Sequence, residues 1–156
     1  FVGSLYRNAP LLDTGARGST TTFVQRRIGD VLIAWENEAL LVLAQPGGDQ
    51  YELVVPSLSI HAEPPVALVD RNVDARGTRA AAQAYLEFLY TPAGQALAAK
   101  HHFRPSRREG IDPALLAPLK PLELVDIAHF GGWAQAQRTH FAEGGVFDQI
   151  FRPGAR

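Results

Sequence analysis

Leu12-Asp13-Thr14-Gly15-Ala16-Arg17-Gly18-Ser19-Thr20, and after it Gly29-Asp30-Val31-Leu32-Ile33-Ala34-Trp35-Glu36-Asn37-Glu38, are the two strings that decide how this sequence reads. The first carries a short apolar stretch, Pro10 to Leu12, into a glycine-containing turn and then into residues that start helices. Ser19 and Thr20 predict the N-cap of a helix running through Arg27, with Phe23, Val24 and Ile28 on its apolar side. In the second string five apolar residues, 31–35, run unbroken between Gly29-Asp30 and the polar Glu36-Asn37-Glu38. That is the pattern of a strand buried on both faces of a parallel sheet.

Working outward, Phe1, Val2 and Leu5 have helical spacing up to a break at Asn8-Ala9-Pro10. A helix is expected over 38–44, closed by Pro46-Gly47-Gly48, and strands over 51–55 and 66–69, joined by the proline-rich, extended 56–65. Residues 78–90 form an amphipathic helix with Ala82, Tyr85, Leu86 and Leu89 on one face. It stops at Thr91-Pro92, where Thr91 caps a second helix and Pro92 takes its first position. A basic, proline-rich loop follows His102; a last strand is expected at 122–125 and a last helix over 132–143, ended by Gly144-Gly145. Strands alternating with helices predict an α/β fold with a largely parallel sheet.

Bulk properties narrow the function classes. The 156 residues are enough for a domain with its own core, so length alone does not say whether the chain is whole. Hydrophobic residues at 46% and charged residues at 20% are the balance of a soluble globular protein. No run nears the roughly 18 apolar residues of a membrane-spanning helix. With 15 basic against 16 acidic residues the formal net charge is −1, which offers no field to nucleic acid or a membrane surface. Any bound anion would be held by a local site. The absence of cysteine removes disulfides, thiolate metal sites and cysteine nucleophiles, and suits an oxidising compartment as well as the cytosol. Methionine is absent too, so a chain starting at Phe1, in what reads as an uncapped helix, is expected to have lost residues upstream.

The turn from Thr14 to Thr20 is where the residues suggest chemistry. N–H groups in the first turn of a helix have no internal acceptor and lie at the positive end of the helix dipole, so they attract anions. Gly15 and Gly18 let the backbone come close. Taken alone, such a loop is a tight strand-to-helix turn, and it has neither the Gly-x-x-x-x-Gly-Lys-Ser/Thr nor the Gly-x-Gly-x-x-Gly pattern of nucleotide sites. Trp35 stands at the carboxyl end of its expected strand, where open α/β sheets build binding crevices. Its indole N–H is a pure donor that keeps its proton at every accessible pH. Alone, a tryptophan after an apolar run reads as core. His101 and His102, being adjacent, point to opposite sides of an extended stretch and chelate poorly together. His129, His140 and Glu143 lack the spacing of a metal-binding helix, and Ser57, Ser59, His61 and Glu63 lie in a proline-rich segment that reads as a hinge. Trp133 reads as packing on an amphipathic helix. No catalytic residue, metal or cofactor is expected.

The two opening strings resemble the C-terminal half of the periplasmic sulfate-binding proteins that serve ABC importers. The likeness continues through Ala62-Glu63-Pro64, Ala84-Tyr85-Leu86, Leu89-Tyr90-Thr91-Pro92-Ala93-Gly94-Gln95, Phe103-Arg104-Pro105 and Phe130-Gly131-Gly132-Trp133. It implies a two-lobe periplasmic-binding-protein fold, type II-like, represented by its C-terminal half. In that family sulfate is dehydrated between the lobes and held by backbone N–H groups, serine hydroxyls and one indole N–H, with no cationic side chain touching it. Carried over by position, the backbone N–H of Ala16 and the indole Nε1–H of Trp35 are two of those donors, with Gly15, Arg17, Gly18 and Ser19 shaping the loop. Arg17 invites a direct role as counter-ion; the preferred reading puts it behind the loop, tied to carboxylates such as Asp13 or Glu36. An all-donor cage selects sulfate over phosphate, because a phosphate hydroxyl facing only donors loses its bond on burial at a cost of about 1–3 kcal/mol.

The resemblance further implies that residues 1–56 belong to one lobe, 57–65 cross between lobes, and 66–156 lie mainly in the other, with a C-terminal helical segment that could return to the first. The implied partners are sulfate, or thiosulfate, the membrane permease of an ABC importer, and the upstream half of the same protein, all in the periplasm. That half would carry a serine-glycine-glycine loop that is absent from these 156 residues. A rival from another class is an enzyme acting on a phosphorylated or sulfated small molecule with the Gly15–Ser19 loop as its cradle; no base or nucleophile with a motif converges on that loop.

Overall fold

In a computed structural model that describes residues 1–151, the chain forms nine short α-helices and one two-stranded sheet. Helices α1 (Val2–Asn8), α2 (Ala16–Arg26) and α3 (Glu36–Leu43) come first, then a 3-10 turn at Gly48–Gln50 and strand β1 (Leu58–Ile60). Helices α4 (Asp70–Ala75), α5 (Arg79–Phe88), α6 (Pro92–Lys100) and α7 (Pro113–Leu116) lead to strand β2 (Glu123–Val125). A second 3-10 turn at Ile127–Phe130, α8 (Gly132–Ala136), a π turn at Gln137–Phe141 and α9 (Val146–Ile150) follow.

β1 and β2 pair in parallel, with Leu58 opposite Glu123, Ser59 opposite Leu124 and Ile60 opposite Val125. The ladder is extended by the His61 N–H, which donates to the Val125 carbonyl at 2.8 Å. The α/β class therefore stands in a helix-rich form, and the strand expected at 122–125 is present as β2. The larger sheet is not. Residues 10–12, 31–35, 51–55 and 66–69 form no strand. An apolar, β-prone run becomes a strand only where a neighbour supplies the other half of its hydrogen bonds, and among the described residues none pairs with 31–35. Val31 and Ile33 accordingly lie 81% and 82% exposed, where burial was expected.

The chain divides into two compact units. The first comprises Phe1–Glu38, Val54–Ala62 and the described residues from Leu122 onward. It holds the sheet and an aromatic cluster in which Tyr6 of α1 meets Phe147 and Phe151 edge-on at 5.7 and 5.9 Å, while those two rings stack at 5.2 Å. Such geometry suits the ring quadrupoles. The last helix, expected as one piece, widens after Ala136 into the π turn, closed by the Ala142 N–H on the Gln137 carbonyl at 2.8 Å.

The second unit comprises Ala39–Leu53 and Glu63–Pro121 and buries Leu40, Val42, Val73, Ala99, Ile111 and Leu119. Its helices follow the sequence closely. In α5, Ala82 and Leu86 of the expected apolar face are half-buried, as is Leu89 just past the helix end; Tyr85 is exposed. Thr91 caps α6 by accepting the Gly94 N–H at 3.2 Å, with Pro92 in the first position, as its sequence predicts. Buried Gln95 then fixes both sides of the helix. Its Nε2 donates to the Leu89 carbonyl at 2.7 Å, and its Oε1 accepts the backbone N–H of Ser106 at 2.7 Å and of Arg107 at 3.2 Å. The basic, proline-rich loop is thereby pinned to α6.

Candidate anion-binding site

α2 begins at Ala16, behind an N-cap Gly15 in extended conformation (φ −161°, ψ 155°). The first bond within the helix is the Ser19 N–H to the Gly15 carbonyl, at 3.0 Å. The N–H groups of Ala16, Arg17 and Gly18 precede any internal acceptor, and Gly15 has no side chain with which to cap them. The sequence expectation that Ser19 and Thr20 cap the helix is corrected here: both lie in its second turn. Their hydroxyls bond backward instead, Ser19 Oγ to the Gly15 carbonyl at 3.4 Å and Thr20 Oγ1 to the Ala16 carbonyl at 3.0 Å. Hydroxyls inside a helix are accommodated in that way. With the cap four or five residues earlier than expected, a bare glycine takes the place of a capping side chain.

Neither glycine of the loop is demanded by backbone geometry. A Cβ on Gly15 would meet nothing within 4 Å, and one on Gly18 would make an ordinary contact of 3.5 Å with Asp13 Cβ. At Gly15 this leaves open backbone at the positive end of the helix dipole, whereas Gly18 has the Asp13 side chain against it.

The first turn of α2 is tied to the first turn of α3. Arg17 Nη2 lies 2.9 Å from Glu38 Oε1, and the single Thr20 Oγ1 proton is shared between the Ala16 carbonyl at 3.0 Å and Glu38 Oε2 at 3.1 Å. Glu38 is only 6% exposed, so both of its oxygens are held in a place with little access to water. Sequence reading had looked to Asp13 or Glu36 as partners of Arg17 and passed over Glu38. A second acid in the first turn of a helix was the available signal; its contact with a residue 21 positions earlier is tertiary and has no local mark.

Trp35 immediately precedes α3, three residues ahead of Glu38. It closes no strand, and at 60% exposure it is not a core side chain. The structure thus brings together Arg17, Thr20 and Glu38, sets Ala16 at the open helix start, and stations Trp35 at the head of the helix to which that start is tied.

The family described as bacterial extracellular solute-binding protein matches residues 1–104. The chain is 54% identical over 151 residues to a sulfate-binding protein of Escherichia coli (strain K12), covering 96% of this chain and 46% of the relative. It is 46% identical over 158 residues to a thiosulfate-binding protein of Pseudomonas aeruginosa, and 39% identical over 155 residues to a thiosulfate-binding protein of Escherichia coli (strain K12). Those matches cover 98% and 99% of this chain and 46% of each relative. The chain spans about half the length of the curated relatives it matches. A family match over residues 1–104, two thirds of the sequence, decides the classification: the chain belongs to the bacterial extracellular solute-binding proteins.

Proposed function

We propose that this chain is part of a periplasmic protein that captures sulfate and delivers it to the permease of an ABC importer, without chemistry on the ion. The observation that carries this reading is the 54% identity to a sulfate-binding protein across 96% of the chain. Physical chemistry adds to it. The open first turn of α2 offers N–H donors to an anion, the Trp35 indole offers another, and neither type can accept a proton from the ligand. Sulfate brings no proton to neutral pH; phosphate does. In the proposed protein Ala16 and Trp35 touch the ion, Gly15, Gly18 and Ser19 shape the loop, and Arg17 stands behind it.

The proposed architecture has two lobes, with residues 1–56 in one, a crossing at 57–65 and 66–156 mainly in the other. This partition belongs to the two-lobe protein and is distinct from the contact units of the chain by itself. Lobe closure is favoured by ligand contacts from both sides. Two donors leave most lone pairs of a dianion unpaired, and such an ion stays in water. The remaining donors are therefore assigned to the other half of the relatives' length, and residues 1–156 alone are expected to bind weakly. Thiosulfate is the second reading, favoured by the two relatives named for it.

Calorimetric titration of the full-length protein with sulfate, thiosulfate, molybdate and phosphate tests the reading. One saturable site for sulfate or thiosulfate is expected, with phosphate about tenfold weaker or worse. Equal affinity for phosphate and sulfate would defeat the donor-only site, and turnover of sulfate or phosphate esters would return the enzyme as the better account.

A further inference from the structure

We propose that residues 100–120 of the second unit form a membrane-facing surface, which settles on anionic phospholipid headgroups through its cations and the exposed ring of Phe103. The formal net charge of −1, which as a whole offers no field, conceals it. This stretch holds five basic side chains, Lys100, Arg104, Arg107, Arg108 and Lys120, against Glu109 and Asp112, a formal +3. Of the 15 basic and 16 acidic residues in all, that leaves ten against fourteen elsewhere, −4. At physiological salt, charges more than about 8 Å apart are largely screened, so a nearby surface responds to the local sign and not to the sum.

The cations are displayed and not neutralised. Lys100, Arg107, Arg108 and Lys120 are exposed, and none of them pairs with a carboxylate among the described residues. Arg79 of the same unit shows the alternative: it lies 2.7 Å from both Asp70 and Asp74, which cancel its charge. Of the two acids in the stretch, Asp112 is turned to its own helix, where it takes the Ala114 N–H at 2.9 Å. The framework is fixed as well. Gln95 holds the backbone of Ser106 and Arg107, and Arg104 Nη2 donates to the Lys120 carbonyl at 2.7 Å, drawing the two ends of the stretch together. A surface already held in one shape gives up little conformational freedom on docking.

Apolar side chains accompany the charge. Phe103, between His102 and Arg104, is 54% exposed, and Leu97, one turn ahead of Lys100 on α6, is 47% exposed. Cations flanking exposed apolar groups match the boundary between lipid headgroups and acyl chains. An acidic protein face accounts for the cations alone; an anionic bilayer accounts for both. The donors proposed for the ion, Ala16 and Trp35, belong to the first unit, so the two roles use different parts of the chain.

Co-sedimentation of the full-length protein with vesicles of phosphatidylglycerol and phosphatidylcholine, at about 3:7, tests the surface against vesicles of phosphatidylcholine alone, in about 20 and 300 mM sodium chloride. Thermal unfolding checks the fold of each variant. Binding to the anionic vesicles should be about tenfold tighter or more, and should weaken as salt rises. R107Q/R108Q should lose about 30-fold, at about fivefold for each cation. F103S should lose about threefold or more at either salt concentration. R26Q/R27Q removes the same charge from exposed positions of the first unit, and should stay within about twofold of the wild type. Should F103S not fold, the two arginine pairs decide. Equal binding to both kinds of vesicle overturns the proposal and makes an acidic protein face the better partner. Equal losses in the two arginine pairs overturn it too, since net charge would then be acting in place of a surface.

Discussion

Two helix starts in this protein are finished in opposite ways. At α6, Thr91 takes the Gly94 N–H and Pro92 has no N–H to offer, so the first turn is closed by its own residues. At α2, Gly15 supplies no acceptor, and the donors of Ala16, Arg17 and Gly18 are left to whatever comes. The tightness differs too. A Cβ on Gly94 would run into the Phe88 carbonyl, whereas one on Gly15 would meet open space. A helix start closed by a side chain serves the fold, and one left bare is free to serve a ligand. The choice rests on a single residue at the cap.

The hardest test of that contrast is Gly15→Asp. The position is extended and roomy, so the aspartate should cap α2 and leave stability unchanged or raised by up to about 1 kcal/mol. It would also place a carboxylate where the dianion is proposed to sit, and sulfate affinity of the full-length protein should fall on the order of a thousandfold. Stability and binding moving together would break the distinction. Gly94→Ala is the mirror image: denaturant unfolding should show a loss of about 3 kcal/mol from the backbone clash, with sulfate affinity of the folded fraction unchanged. Trp35→Phe keeps a ring at an exposed position and removes one donor to the ion; about a 10- to 150-fold loss of affinity is expected, and an unchanged dissociation constant would leave Trp35 out of the site. The smallest effect is that of pH. Backbone and indole donors do not titrate, so affinity should vary less than about twofold from pH 5.5 to 8.5, whereas a histidine counter-ion would lose binding as pH rises past about 6.5.

What could be read from the sequence follows the range of the interactions. The Thr91-Pro92 cap is settled by residues three positions apart, and it is present as expected. Residues 31–35 carry as strong an apolar signal, yet a strand is half of a pair, and the pattern says nothing of where the other half lies. The loop before α2 was legible as a helix start, but its cap was misplaced by four or five residues because Ser19 and Thr20 suit a cap and bond backward when placed inside. Arg17 was legible as a residue needing a carboxylate; which carboxylate it would find was not, since Glu38 reaches it only once α2 and α3 have folded beside each other.

The β1–β2 ladder joins residues about 65 positions apart. On the ribosome, at about 5–20 residues per second, β1 therefore emerges roughly 3–13 s before the strand that completes it. During that interval Leu58 and Ile60 present an unmatched edge, while α5 and α6, whose caps and first turns are local, are free to form as soon as they appear. The order of folding is thus tied to the order of synthesis: the helices between the strands can form before the sheet, α8 and α9 come after it, and the first unit is left open until its C-terminal residues arrive. A pause in translation between β1 and β2 would lengthen the exposure of that edge, and aggregation of nascent chains should rise with the length of the pause.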